Sequence, residues 1–141
     1  MRDKILVVDD DPAARKLLTL LFQATGEVLA ASTGAEALRI IETERPRLML
    51  LDVTMPGMNG LEVLKAARTD ATDMTVIMVT GQNDIELAQQ ALALGATEYV
   101  TKPFDLAQLK EKVVRCLKAT PKEKRENTGI PWHTADAPPR S

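Results

Sequence analysis

Ile5-Leu6-Val7-Val8-Asp9-Asp10-Asp11-Pro12 sets four aliphatic residues directly ahead of three acids and a proline. An apolar run with no polar interruption suits a strand buried on both faces, as in a parallel sheet. Asp11 then suits a helix N-cap, and Pro12 suits the first helical position, where its missing N–H costs nothing. A buried strand, an acidic loop and a helix start thus follow one another without a gap.

The same grammar repeats along the chain. Apolar runs at Ile5–Val8, Val28–Ala31, Leu48–Leu51, Thr75–Val79 and Tyr99–Thr101 alternate with stretches of helical period at Pro12–Ala24, Ala35–Thr43, Gly60–Arg68, Asp84–Leu94 and Leu106–Lys118. That alternation predicts βαβ units and a doubly wound five-stranded parallel sheet, order 2-1-3-4-5, flanked by five helices. Cap-and-acid pairs mark the helix starts: Thr33 with Glu36, Asn59 with Glu62, Asn83 with Glu86, and Asp105 with Gln108. In each, one side chain can cap the first turn while the other reaches back to a free N–H. Gly26 and Gly95 stand where the first and fourth helices should stop.

A chain of 141 residues with 45% hydrophobic residues is long enough for one domain with a buried core and short for two. Its net charge of −2 gives no field to hold nucleic acid or an anionic membrane, so neither is an expected direct partner. Cys116 stands alone within an apolar helical pattern, which reads as a buried thiol in a reducing compartment. The first apolar run is too short for a signal segment or a membrane span, so a cytoplasmic location is expected. From about Thr120 the periodic apolar residues cease; residues 1–119 read as the domain and 120–141 as a disordered tail or linker, with Trp132 and His133 as its only distinctive residues.

The chemistry gathers at the strand ends. In an open α/β sheet, ligands bind beyond the carboxyl ends of the strands, where the strand order reverses. With order 2-1-3-4-5 that point lies between strands one and three, so Asp9, Asp10 and Asp52 should meet across one strand spacing of roughly 4.8 Å. Three carboxylates so close repel one another unless a cation intervenes, and an all-oxygen set suits Mg²⁺. Strand four ends in Thr80 and strand five in Lys102, both aimed at the same edge. An ammonium, a hydroxyl and a metal around one carboxylate are what a transferring phosphoryl group requires.

On these residues the sequence resembles the response-regulator receiver family of two-component signalling, over about residues 3–119. The resemblance is carried by Val7-Val8-Asp9-Asp10-Asp11, Leu51-Asp52-Val53-Thr54-Met55-Pro56-Gly57-Met58-Asn59-Gly60, Val79-Thr80-Gly81 and Tyr99-Val100-Thr101-Lys102-Pro103-Phe104. It implies a flavodoxin-like fold, a phosphoacceptor at Asp52, Mg²⁺ on Asp9, Asp10, Asp52 and the Thr54 carbonyl, and phosphoryl contacts from Thr80 and Lys102. It further implies a Thr80–Tyr99 switch and a cis Lys102–Pro103 bond. By this resemblance the chain catalyses only its own phosphorylation and dephosphorylation. The donor it implies is a histidine kinase or histidine phosphotransfer protein, and a downstream protein target is unknown. Two other readings compete: a pseudo-receiver that binds partners without phosphorylation, and a haloacid-dehalogenase-like phosphatase with Asp9 as nucleophile. The latter leaves Asp52 without a role.

Overall fold

The computed structural model describes residues 3–53, 60–70, 73–81 and 85–118. The elements run β1 (Lys4–Val8), α1 (Pro12–Phe22), β2 (Glu27–Ala31), α2 (Gly34–Glu44), β3 (Leu48–Asp52), α3 (Gly60–Asp70), β4 (Thr75–Gly81), α4 (Ile85–Ala93), β5 (Glu98–Lys102) and α5 (Leu106–Lys118). The strands form one parallel sheet in the order β2-β1-β3-β4-β5, as the sequence predicts. Asn59, Asn83, Thr54 and the expected tail lie outside the described residues.

Strand side chains alternate between the two faces, and this period of two builds two cores. Ile5, Val7, Leu48, Leu50 and Ile77 pack with Leu18 and Phe22 of α1 and Leu109, Val113 and Leu117 of α5. Leu6, Val8, Met49, Leu51, Val76 and Met78 face the other way, onto Ala37 and Ile41 of α2, Val63, Leu64 and Ala67 of α3, and Ala91 of α4. Burial on both faces is why β1, β3 and β4 read as unbroken apolar runs. Among the described residues no helix is long and apolar enough to cross a membrane.

The caps are partly as expected. Asp11 accepts from the Ala13 N–H, Thr33 Oγ1 from the Glu36 N–H, and Asp105 from the Ala107 and Gln108 N–H groups. Glu36, however, reaches past its cap residue and accepts from the Ser32 N–H and hydroxyl, so it ties α2 to the end of β2. α1 stops at Phe22, well short of Gly26, whereas Gly95 takes the left-handed φ of 111° expected just after α4. α2 ends on Arg45, a non-glycine residue at φ 51° whose N–H bonds to the Ile41 carbonyl.

Arg68 secures α3 from its far end. Its guanidinium donates to the Gly95 carbonyl through Nε and Nη2 (3.0 and 2.7 Å) and to the Met74 carbonyl through Nη1 (2.6 Å). The planar guanidinium presents its donors in a rigid fork, so one side chain makes two bonds to one carbonyl and a third to another.

β5 is held to α5 by Glu98, which pairs with Lys112 at 2.9 Å and Arg115 at 3.3 Å and accepts from the buried Cys116 thiol at 3.4 Å. Burial pushes the Glu98 carboxyl up, but these partners more than offset it and hold the group below the ordinary glutamate range. A carboxyl lowered by folding stabilises the native state above its unfolded value, and that contribution is lost as pH falls through the folded value. Glu98→Gln should therefore be less stable than wild type near neutral pH, and the gap should close below the ordinary glutamate range. Urea unfolding of both proteins from about pH 7 to about pH 3 checks this; a gap constant across that window would refute it.

Candidate functional site

β1 and β3 pair in register from Ile5 with Leu48 to Val8 with Leu51, so Asp9 and Asp52 emerge side by side at the carboxyl edge. Carboxylate oxygens of Asp9, Asp10 and Asp52 lie within 4.8 Å of one another. Asp9 is 3% and Asp52 9% exposed, whereas Asp10 faces solvent. Mg²⁺ bonds oxygen at about 2.1 Å, so an octahedral ion spans roughly 4.2 Å between opposite ligands. The three acids need close only slightly to share such an ion, and their hard oxygen donors suit it.

Asp9 is fixed from several directions. Its N–H donates to the Ala31 carbonyl (3.1 Å), its Oδ1 accepts from the Asp11 N–H (3.0 Å), and its carbonyl accepts from Arg15 Nη1 (2.8 Å). The remaining oxygen, Oδ2, lies 3.7 Å from Lys102 Nζ, and Asp52 Oδ2 lies at the same 3.7 Å from that ammonium. The sequence places Lys102 two strand spacings from Asp52; its stem crosses that gap fully and bridges both buried acids. Among the described residues the Lys102 ammonium thus lies between two of the three clustered carboxylates. The Lys102–Pro103 peptide bond is cis.

On β4 the partner of Asp52 is Val79, so Thr80 stands one residue further out, opposite Thr101 of β5, and Gly81 is opposite Lys102. Thr80 is buried, and its hydroxyl lies 3.5 Å from the Val100 carbonyl, the outer limit of a hydrogen bond. Tyr99 is half-buried on β5. Its ring lines two hollows, one beside Gln89, Leu92 and Ala93 of α4 and one reaching Phe104, Gln108 and Lys112.

Residues 5–114 match the model of the response regulator receiver domain. The chain belongs to the response regulator receiver family. Sporulation initiation phosphotransferase F of Bacillus subtilis is 37% identical over 118 residues, covering 83% of this chain and 95% of that protein. The DNA-binding response regulator MtrA of Mycolicibacterium smegmatis is 35% identical over 139 residues, covering 98% of this chain but only 60% of its own length. Among solved structures, the Vibrio cholerae chemotaxis protein CheY4 aligns with a TM-score of 0.77 at 33% identity, covering 82% of this chain and 99% of that one.

Within this receiver, Gly60 has a role at the site that its place in the motif alone does not reveal. It opens α3 directly behind β3, its N–H donating to the Val53 carbonyl at 2.7 Å. A Cβ there would sit 2.7 Å from both the Asp52 carbonyl oxygen and Val53 Cα, backbone atoms that cannot swing aside. Gly60→Ala should cost about 1–3 kcal/mol through overpacking. Urea unfolding measures this; wild-type stability would mean that α3 can withdraw from Asp52 at no cost.

Proposed function

We propose that Asp52 is the phosphoacceptor of this receiver, that Asp9 and Asp10 with Asp52 and the Thr54 carbonyl hold Mg²⁺, and that Thr80 and Lys102 bind the phosphoryl oxygens. One observation carries the reading. Asp52, on the central strand β3, lies between Asp9 and Asp10, which follow β1, and Thr80 and Lys102 of β4 and β5, among the clustered carboxylates and 3.7 Å from that lysine. Asp9 shares that lysine but stands at the end of β1, one strand further from Thr80 and Lys102, and is the more deeply buried of the two.

The donor is a phosphohistidine on a separate histidine kinase or histidine phosphotransfer protein. An Asp52 carboxylate oxygen attacks phosphorus as the bond from phosphorus to the donor imidazole breaks, giving an acyl phosphate and a histidine nitrogen that takes up a proton. Bound Mg²⁺ supplies positive charge for the phosphoryl oxygens and for the acids. Lys102, which bridges Asp9 and Asp52 before transfer, exchanges part of that contact for a phosphoryl oxygen. The Thr80 hydroxyl turns from the Val100 carbonyl toward the same group, and the space it leaves admits the Tyr99 ring. A buried hydroxyl with only a 3.5 Å contact has little to hold it where it is.

The output surface is then α4, β5 and α5, where Tyr99 lies between two hollows. The partner there is a protein, since the chain's −2 charge offers nucleic acid no attraction. Kinase docking falls to the first turns of α1, through Ala13, Ala14, Lys16 and Leu17, of which Ala13, Lys16 and Leu17 are exposed. The chain catalyses only its own phosphorylation and dephosphorylation. The test is incubation with acetyl phosphate and Mg²⁺ followed by intact-protein and peptide mass spectrometry. One added phosphoryl group on Asp52 is expected. Labelling on Asp9 would favour the phosphatase reading, and no labelling would favour a pseudo-receiver.

A further inference from the structure

We propose that Arg15 is a positioning residue for the acid pair Asp9 and Asp10, acting through the peptide bond that joins them. This rests on the proposed function only in taking those acids to hold a divalent ion. Arg15 lies on the first turn of α1, where its N–H bonds to the Asp11 carbonyl at 3.0 Å. Helical side chains lean back toward the helix N-terminus, and that lean brings Arg15 Nη1 to 2.8 Å from the Asp9 carbonyl oxygen.

That oxygen belongs to the planar unit that also contains the Asp10 nitrogen and Cα. Holding it therefore fixes the direction in which Asp10 leaves the strand. Asp9 has further restraints, in the Ala31 carbonyl and the Asp11 N–H. Asp10 is exposed and lacks the packing that orients its buried neighbours. The orientation of the pair consequently depends on the peptide between them, and Arg15 grips that peptide from the helix.

The ordinary alternative is that Arg15 is simply a cation beside acids. The two accounts predict effects of opposite sign. A guanidinium close to a divalent ion repels it, so on electrostatics alone Arg15→Met would bind Mg²⁺ more tightly. If Arg15 positions the pair, the same change weakens binding, since groups that orient metal ligands typically contribute 10–100-fold in affinity.

The experiment is calorimetric titration of the full chain with Mg²⁺, for wild type, Arg15→Met and Arg15→Lys, with the thermal midpoint of each. Arg15→Met should bind Mg²⁺ about tenfold more weakly with a midpoint within a few degrees of wild type. Arg15→Lys keeps one donor for the carbonyl and should recover to within about threefold of wild type. Equal or tighter binding by Arg15→Met, beside a wild type that binds, overturns this inference alone. So does a lysine variant no better than the methionine one. Loss of cooperative unfolding in Arg15→Met also overturns it, because a residue that only orients Asp10 is not needed for the fold. A wild type that binds no Mg²⁺ overturns the proposed function and this inference with it.

Discussion

Asp52→Asn should abolish phosphoryl uptake completely while leaving the protein at least as stable as wild type in the absence of metal. The first half follows from chemistry, because an amide is too weak a nucleophile to attack phosphorus and form the acyl phosphate. The second follows from the charge balance of the site. Asp9, Asp10 and Asp52 hold oxygens within 4.8 Å of one another beside the Lys102 ammonium, so neutralising Asp52 removes the repulsion it exerts on each of the other two. The side-chain volume hardly changes, so the packing of β3 against β1 and β4 is kept. Intact-protein mass spectrometry after acetyl phosphate treatment reads the first effect, and thermal unfolding in a chelator reads the second. Residual uptake near the wild-type level would remove Asp52 from its assigned role. Lost uptake with a collapsed thermal midpoint would mean that the carboxylate is needed for folding and that the loss says nothing about its chemistry.

The skeleton of this site was legible in the sequence because strand and helix periods are local. Ile5–Val8 and Leu48–Leu51 run straight into acids, and a parallel order then forces those acids to one edge. Lys102 and Thr80 were legible for the same reason: each stands at the carboxyl end of a strand. The contacts made by long side chains across the fold were not legible. Arg15 returns to the Asp9 carbonyl, and Arg68 bridges the carbonyl of Met74 and that of the far more distant Gly95. Either arginine, read locally, is an ordinary helix-surface cation. The left-handed cap at Arg45 was hidden because the residue usual there is glycine. Glu36 was read as bonding its cap residue, but the chain bends so that Ser32 is the nearer donor. The crowding at Gly60 depends on how closely α3 approaches β3, which no periodicity encodes.

Lys102→Met should separate metal binding from signalling, raising Mg²⁺ affinity several-fold while removing most of the conformational response. Lys102 Nζ sits 3.7 Å from carboxylate oxygens of both buried acids, so before any metal arrives it serves as their counter-charge. A divalent ion entering among Asp9, Asp10 and Asp52 must share those oxygens with the ammonium, and like charges that close repel one another. Removing the ammonium removes that opposition. After phosphorylation the balance reverses, because the phosphoryl group brings about −1.5 to −2 charges that need a fixed partner on the β5 side. Moving a two-state switch from 99:1 inactive to 99:1 active takes about 5.5 kcal/mol, and a charge-assisted contact to that group is a large part of what can supply it. The stem of methionine fills similar space, so β5 and its Glu98 tie to α5 should persist. Calorimetry with Mg²⁺ reads the first effect. The second is read by the Tyr99 ring resonances with and without beryllofluoride, which should shift in wild type and stay almost unmoved in Lys102→Met. A full Tyr99 shift in the variant would show that the metal and Thr80 drive the switch without the lysine, and weaker Mg²⁺ binding would show that Lys102 organises the acids instead of competing for them.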